Sequence, residues 1–97
     1  MPSPLPPLGA LRAFMAVARH LSFSKAAKDL HVTPAAITHQ IHALELNLGA
    51  RLFHRNRRYV TLTRTAEACL SDLVQAFEML NSAVAKARSA TERAVLN

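Results

Sequence analysis

The side chains with the clearest chemical role in this sequence are basic, and they are concentrated in its first two-thirds. Through Arg64 nine Lys or Arg face two acids (9 − 2 = +7), whereas from Thr65 onward three bases face four acids (3 − 4 = −1). A positive field concentrated in one part of a chain is typical of a surface that binds a polyanion such as a nucleic acid. A charged surface that serves only solubility is the alternative.

Groupings of residues that would indicate an enzyme are missing from the sequence. It contains no nucleophile with a base and an acid, no Gly-rich phosphate loop and no paired carboxylates. A chain of 97 residues also buries only a thin core, which favours a binding module without enzymatic activity. His39 and His42 could begin a metal site, but no Cys or acid stands in place to complete it. We therefore expect neither a metal nor a cofactor.

The cysteine content and the hydropathy of the chain bear on its compartment. The single Cys69 rules out a disulfide framework and fits a reducing cytoplasm. The N-terminus lacks the pattern of a signal peptide, and no uncharged apolar run approaches the length of a membrane span. We expect a cytoplasmic protein with no membrane partner, in which Cys69 is a small buried hydrophobe, with a redox role as the alternative.

Three short helices are predicted from apolar periodicity and capping residues. The first covers about Leu8 to His20, and its apolar stripe consists of Leu8, Leu11, Phe14, Met15, Ala18 and Leu21. Ser22 is a favourable N-cap for a second helix that ends at Leu30. Thr33 and Pro34 begin a third helix, which Gly49 ends in the left-handed conformation. Its inner face consists of Ile37, Ile41, Leu44 and Leu48.

The second and third helices have the spacing of a helix-turn-helix. Ala26 and Ala27 are small enough for the two backbones to approach closely, and three residues, His31 to Thr33, connect the helices. We expect Val32 to point inward and His31 to take the positive φ that Gly often provides at such a turn. Two packed helices of an ordinary bundle could share this spacing.

A basic hairpin and a long helix complete the predicted fold. The segment from Leu52 to Leu62 has apolar ends and a basic middle, which predicts a β-hairpin with Asn56 to Arg58 near its tip. Thr63 caps a last helix that runs to about Ser89, and a tail that frays should follow. The apolar positions of this helix alternate steps of four and three: Ala66, Leu70, Leu73, Phe77, Leu80, Val84 and Ala87. This is the seam of a coiled coil, which needs a partner; a helix folded onto its own domain is the alternative.

The motifs of this chain, in their order, resemble the DNA-binding domain of LysR-type transcriptional regulators. They are Leu11-Arg12-Ala13-Phe14, Ser22-Phe23-Ser24-Lys25-Ala26-Ala27, Leu30-His31-Val32-Thr33, Ile41-His42-Ala43-Leu44-Glu45, Leu48-Gly49, Leu52-Phe53-His54-Arg55 and Leu62-Thr63. The segment from Ala18 to Phe23 further resembles the branch of glycine-cleavage and β-lactamase regulators. The chain departs from the family pattern in two respects: Ala66 stands where Gly is common, and His39 and His42 occupy places that are often basic.

The resemblance implies a mainly α fold, a winged helix-turn-helix followed by a long linker helix that forms an antiparallel homodimer. Residues 1–62 would be the DNA-binding domain, residues 63–90 the linker helix, and residues 91–97 a frayed tail preceded by an extended leader at Met1 to Pro7. A C-terminal effector-binding domain outside this chain, tetramers of the full-length protein and RNA polymerase as a candidate partner are also implied.

The expected partner is double-stranded DNA, bound as an interrupted palindromic operator with the third helix in the major groove. The outer face of that helix should present Pro34, Ala35, Thr38, His39 and His42. Thr38 and Gln40 could bond to base edges, Gln being suited to adenine, and Ala35 could pack on a thymine methyl. The predicted wing contacts are Arg55, Arg57 and Arg58, on phosphates or in a narrow minor groove.

The remaining predicted contacts anchor phosphates or join two copies of the chain. The phosphate anchors are Ser22, Ser24, Lys25, Thr33 and Arg51. Plain helix capping is the alternative for Ser24 and Thr33, and a solvated surface amide is the alternative for Gln40. The predicted dimerisation residues are Ala66, Leu70, Leu73, Phe77, Leu80 and Val84.

Overall fold

The computed structural model describes residues 4–96, with side chains described through Arg93. The elements in chain order are α1 (Leu8–His20), α2 (Phe23–Leu30), α3 (Pro34–Leu48), β1 (Phe53–Arg55), β2 (Val60–Leu62) and α4 (Arg64–Leu96). Four helices and one small hairpin confirm the predicted mainly α fold class. Of the predicted leader, residues 1–3 lie outside the described residues, as does Asn97 of the predicted tail.

The predicted boundaries of α2 and α3 are confirmed by the hydrogen bonds and backbone conformations at their ends. The Ser22 hydroxyl accepts from the Lys25 backbone N–H at 3.2 Å, and the Thr33 hydroxyl accepts from the Ala36 N–H at 3.1 Å. These bonds satisfy donors in the first turns of α2 and α3 that have no partner within the helix. At the other ends, His31 and Gly49 adopt the left-handed conformation with φ of 59° and 72°.

The core lies where α1 crosses α2 and α3, and the hairpin closes one end of it. Small residues at the crossings (Ala13, Ala26 and Ala27) are at most 1% exposed, so the helix backbones approach closely. The largest fully buried side chains are Phe14, Phe53, Ile37, Leu44, Leu52 and Val17. Phe53 packs edge-on between Phe14 and Phe23, with ring centroids 5.6 and 5.8 Å apart, and this aromatic row connects β1 to α1 and α2.

Four apolar side chains that we predicted to face inward are instead exposed. Leu8 and Leu21 at the ends of α1 are 53% and 46% exposed, because the neighbouring helices pack on the alanine-rich side of α1, which includes Ala10, Ala13 and Ala16. Val32 is 43% exposed: its N–H bonds to the Ala27 carbonyl within the turn and its side chain points outward. Leu48 is 45% exposed, one turn beyond the last buried position of α3.

The hairpin and α4 follow directly on each other. The strands pair antiparallel with Phe53 opposite Leu62 and Arg55 opposite Val60, so the tip lies at residues 56–59, as predicted. The Thr63 hydroxyl accepts from the Ala66 N–H at 3.2 Å and donates to the Arg51 carbonyl at 2.7 Å, which fixes the start of α4 against the hairpin.

The last helix is longer than the sequence indicated. It continues to Leu96 rather than ending near Ser89, and the tail predicted to fray is therefore helical up to that residue. Ala, Glu and Arg are strong helix formers, and they supply most of residues 85–94. Among the described residues no helix combines the length and the apolar character needed to cross a membrane.

Candidate nucleic-acid interface

The outer face of α3 forms an open strip, because only one side of this helix packs on the core. Its inner residues Ile37, Ile41 and Leu44 are at most 3% exposed. The predicted contact residues that are exposed along the helix are Pro34, Ala35, His39 and His42. A helix whose first turns are open in this way can enter the major groove of a duplex.

Thr38 and Gln40 are less exposed than the other predicted contact residues of α3. Both are half-buried, because they lie at the two edges of the inner face, about 200° apart around the helix at ~100° per residue. The Gln40 Nε2 lies 3.8 Å from the point that a Cβ on Gly9 would occupy, so the amide is turned towards the start of α1. Thr38 instead lines a groove on the hairpin side of the helix.

The N-terminal end of α2 brings the predicted anchors Ser22, Ser24 and Lys25 together. Capping is the observed role of Ser22, and the Ser24 hydroxyl lies 3.3 Å from the Ser22 hydroxyl without being the cap of α2. The side chains of Ser24 and Lys25 are exposed. Thr33 is exposed as well, although its hydroxyl already caps α3, so capping accounts for its residue type.

The hairpin tip holds its backbone with a side chain of its own and leaves its arginines exposed. The Asn56 Oδ1 accepts from the N–H groups of Arg58 and Tyr59 at 2.8 and 3.0 Å, and the Asn56 N–H donates to the Tyr59 carbonyl at 3.1 Å. An Asn that bonds to the backbone two and three residues later fixes a tight turn. Arg57 and Arg58 are exposed, and neither forms an ion pair with another described residue.

A groove of about 180 Å³ separates α3 from the hairpin, and the predicted contacts Arg51 and Arg55 line it. Thr38 and His42 form the α3 side of the groove. The Arg55 guanidinium lies over the ring of Phe23, with its central carbon 3.8 Å from the ring centroid. Arg55 therefore lies against the body of the domain, whereas Arg57 and Arg58 stand at the tip.

Two residues that shape this groove were missed by the sequence analysis. Phe23 appeared in the sequence only as part of a family motif, and nothing in its spacing indicates that an arginine covers its outer face. Glu45 is the only acid on α3, and its Oε2 accepts from the Leu52 N–H at 2.8 Å, which ties α3 to the start of the hairpin. A lone carboxylate on an otherwise uncharged helix was the available signal for Glu45.

The Asp29 carboxylate pairs with residues away from the groove and the hairpin tip. Asp29 on α2 lies 3.8 Å from the Arg19 guanidinium and 3.2 Å from the His20 Nε2, on the side where α1 meets α2. These are the ion pairs found among the described residues, so the arginines of the groove and the hairpin tip keep their donors for an external acceptor. Among the described residues, His39 and His42 do not belong to any group of three side chains that could hold a metal ion.

The apolar seam of α4 is divided between the domain itself and an open surface. Ala66 is completely buried, and Leu70 and Leu73 pack partly against the core, so these three predicted dimerisation residues contact their own domain. Further along the helix, Leu80 and Val84 are 44% and 45% exposed. Cys69, which we expected to be buried, is exposed, because it lies beside the seam rather than in it.

An open cleft of about 420 Å³ runs between α1 and the exposed part of the seam. Its α4 side consists of Phe77, Leu80, Asn81 and Val84. Its other side consists of Arg12, Met15, Ala16 and Arg19 of α1 with Asp29 and Leu30 of α2. The cleft lies apart from the groove between α3 and the hairpin, since the two share no lining residue.

Comparison with known proteins agrees with the resemblance that the sequence motifs indicated. Residues 8–67 match the family model described as the bacterial regulatory helix-turn-helix protein, LysR family. The glycine cleavage system transcriptional activator of Escherichia coli (strain K12) is 45% identical over 92 residues, which cover 95% of this chain and 30% of the relative. The carbapenem-hydrolyzing beta-lactamase transcriptional activator of Enterobacter cloacae is 45% identical over 80 residues, or 82% of this chain and 27% of the relative.

Among solved structures, the DNA complex of the CbnR DNA-binding domain matches with a TM-score of 0.79 and 35% identity, over 89% of this chain and 99% of that chain. The fold is therefore a winged helix-turn-helix with a long C-terminal helix, as predicted. The two relatives also confirm the resemblance to the glycine-cleavage and β-lactamase branch. This chain spans about a third of the length of those relatives. It belongs to the LysR family of bacterial regulatory helix-turn-helix proteins and has the fold of the family's DNA-binding domain.

Proposed function

We propose that this chain binds a specific double-stranded DNA site as a homodimer and so directs a transcription regulator to its operator. The exposed strip of α3 (Pro34, Ala35, His39 and His42) enters the major groove. The arginines of the hairpin tip lie on phosphates or in the adjacent minor groove. The function is binding, without catalysis and without a cofactor.

The observation that carries this proposal is the exposed strip of α3 together with the exposed basic side chains of the two elements that pack beside it. The hairpin tip presents Arg57 and Arg58, and the start of α2 presents Lys25, all with exposed side chains. Phosphates flank the major groove in which a helix binds, so exposed cations next to the strip can pair with the DNA backbone. Thr38 lies at the edge of the strip and lines the adjacent groove together with Arg51 and Arg55.

Dimerisation is proposed from the unpartnered part of α4. At about 1.5 Å per residue this helix is ~50 Å long, whereas the folded domain covers only its first turns. We propose that Phe77, Leu80 and Val84 pack against a second copy of α4, which lies along the open cleft beside α1. Ala66, Leu70 and Leu73 serve the domain instead. A dimer with two-fold symmetry contacts two DNA half-sites in inverted orientation. We therefore expect the operator to be an interrupted palindrome.

The whole protein is proposed to follow the pattern of the relatives. Each is a transcriptional activator by name and about three times longer than this chain. The part beyond this chain would carry effector binding and tetramer assembly, and RNA polymerase is the candidate partner for regulation.

Selection of duplexes from a random pool tests the proposal. We expect enrichment of an inverted repeat whose half-sites are separated by about one helical turn or a multiple of it. Enrichment of a single half-site without a repeat would contradict the dimer. A pool that shows no enriched sequence would contradict specific binding altogether.

A further inference from the structure

The contact between Arg55 and Phe23 gives the groove between α3 and the hairpin a more specific role. We propose that this groove holds one backbone phosphate of the DNA duplex, with Arg55 as its donor and Phe23 as the residue that positions Arg55. The inference rests on the proposed DNA-binding function and names a site within that interface.

The Arg55 side chain is held in place and yet has unused donors. Its central carbon lies 3.8 Å from the centroid of the Phe23 ring, which is a cation–π contact in a stacking range. A guanidinium carries five N–H donors on its rim, and stacking on a ring leaves that rim accessible. Arg55 is exposed and has no carboxylate partner among the described residues. Its donors are therefore available to an acceptor outside the domain.

The platform beneath Arg55 is packed into the core. Phe23 is 9% exposed and packs edge-on against Phe53, which is 1% exposed and packs in turn on Phe14. A side chain stacked on such a row loses less conformational freedom when it binds a ligand than a free arginine does. Arg57 at the hairpin tip carries the same charge without an aromatic contact within the described chain, and it provides a matched comparison.

The other groups around the groove fit an anion. Arg51 supplies a second cation, and Thr38 and His42 supply polar groups from α3. Glu45 is the one carboxylate in the lining, and its Oε2 already accepts from the Leu52 N–H. A phosphate that enters from the exposed strip of α3 would meet two guanidinium groups, a hydroxyl and an imidazole. Bidentate pairing of a guanidinium with phosphate oxygens is the geometry that arginine favours.

A double-mutant cycle on DNA affinity tests the inference with a mixed-sequence duplex, since a phosphate contact does not depend on sequence. Phe23→Leu keeps an apolar side chain in the core but removes the ring face, and Arg55→Ala removes the donor. We expect Arg55→Ala to weaken binding about tenfold and Phe23→Leu about threefold. In the double variant the loss should equal that of Arg55→Ala alone. The slope of log affinity against log salt concentration should become shallower for both Phe23→Leu and Arg55→Ala.

The same cycle with Arg57→Ala in place of Arg55→Ala separates positioning from general destabilisation. Phe23→Leu and Arg57→Ala should multiply their effects, because no contact joins the two side chains. Multiplying effects in the Arg55 cycle, or equal coupling in the two cycles, would overturn the inference while wild-type DNA binding still supports the proposed function. A wild-type chain that binds no duplex would overturn both.

Discussion

Replacement of either tip arginine by alanine should weaken DNA binding by the same factor on every sequence. The backbone of the tip is held by the Asn56 side chain and not by Arg57 or Arg58, whose side chains are exposed. Arg57→Ala and Arg58→Ala should therefore leave the fold and the melting temperature unchanged, so that a change in affinity reports the lost charge alone.

The size of the effect follows from counterion release. Each phosphate contact contributes about 0.9 to the slope of log affinity against log salt, and a dimer loses two contacts per substitution, so the slope should fall by about 1.8 (2 × 0.9). Over a fourfold rise in salt, the wild-type affinity should then drop about 12-fold more than that of the variant. Fluorescence anisotropy of a labelled duplex at several salt concentrations measures both quantities.

The same salt titration is applied to a control variant and to the alternative role of the tip arginines. Arg88→Ala removes one positive charge from the exposed surface of α4, away from the hairpin, and should leave the slope unchanged. If a tip arginine instead reads a narrow minor groove, its loss should weaken binding most on sites with A·T-rich flanks. An unchanged slope in both tip variants would refute the assignment of the hairpin as a phosphate-binding wing.

Two further predictions concern assembly and backbone strain. Leu80→Asp with Val84→Asp should give a monomer by sedimentation equilibrium, because charges cannot be buried in the proposed seam; a wild-type monomer at tens of micromolar would contradict the dimer. Leu21 has a φ of 49°, which costs an L-residue about 1–2 kcal/mol, so Leu21→Gly should raise the free energy of unfolding in urea by ~0.5–1 kcal/mol. Gly49→Ala, at a φ of 72°, should lower it by ~1 kcal/mol, and equal signs would refute the strain argument.

Local signals in the sequence were sufficient for the boundaries of the first three helices and of the hairpin. Ser22 and Thr33 cap the helices they were expected to cap, and Gly49 ends α3, because capping depends on residues only a few positions apart. The hairpin tip was predicted for the same reason, since a cluster of polar residues between two short apolar runs favours a turn.

Features that depend on which surfaces meet could not be predicted in this way. The heptad pattern of α4 identifies an apolar seam but not its partner, and the domain itself takes Ala66, Leu70 and Leu73. Similarly, the periodicity of α3 gives its inner face but not the position of α1, against which Gln40 turns. The stacking of Arg55 on Phe23 joins residues 32 positions apart (55 − 23 = 32), and no local pattern encodes it.

The central claim, that the exposed strip of α3 reads base edges, is tested most directly by one ratio of affinities. The ratio compares the site selected from the random pool with a scrambled duplex at fixed salt, for the wild type, His39→Ala and Gln40→Ala. The wild-type ratio should be about 10³ or more, and His39→Ala should reduce it about tenfold. Gln40→Ala, on the same helix but turned towards α1, should leave it unchanged. A wild-type ratio near one, or a ratio lowered by Gln40→Ala and not by His39→Ala, would contradict the account.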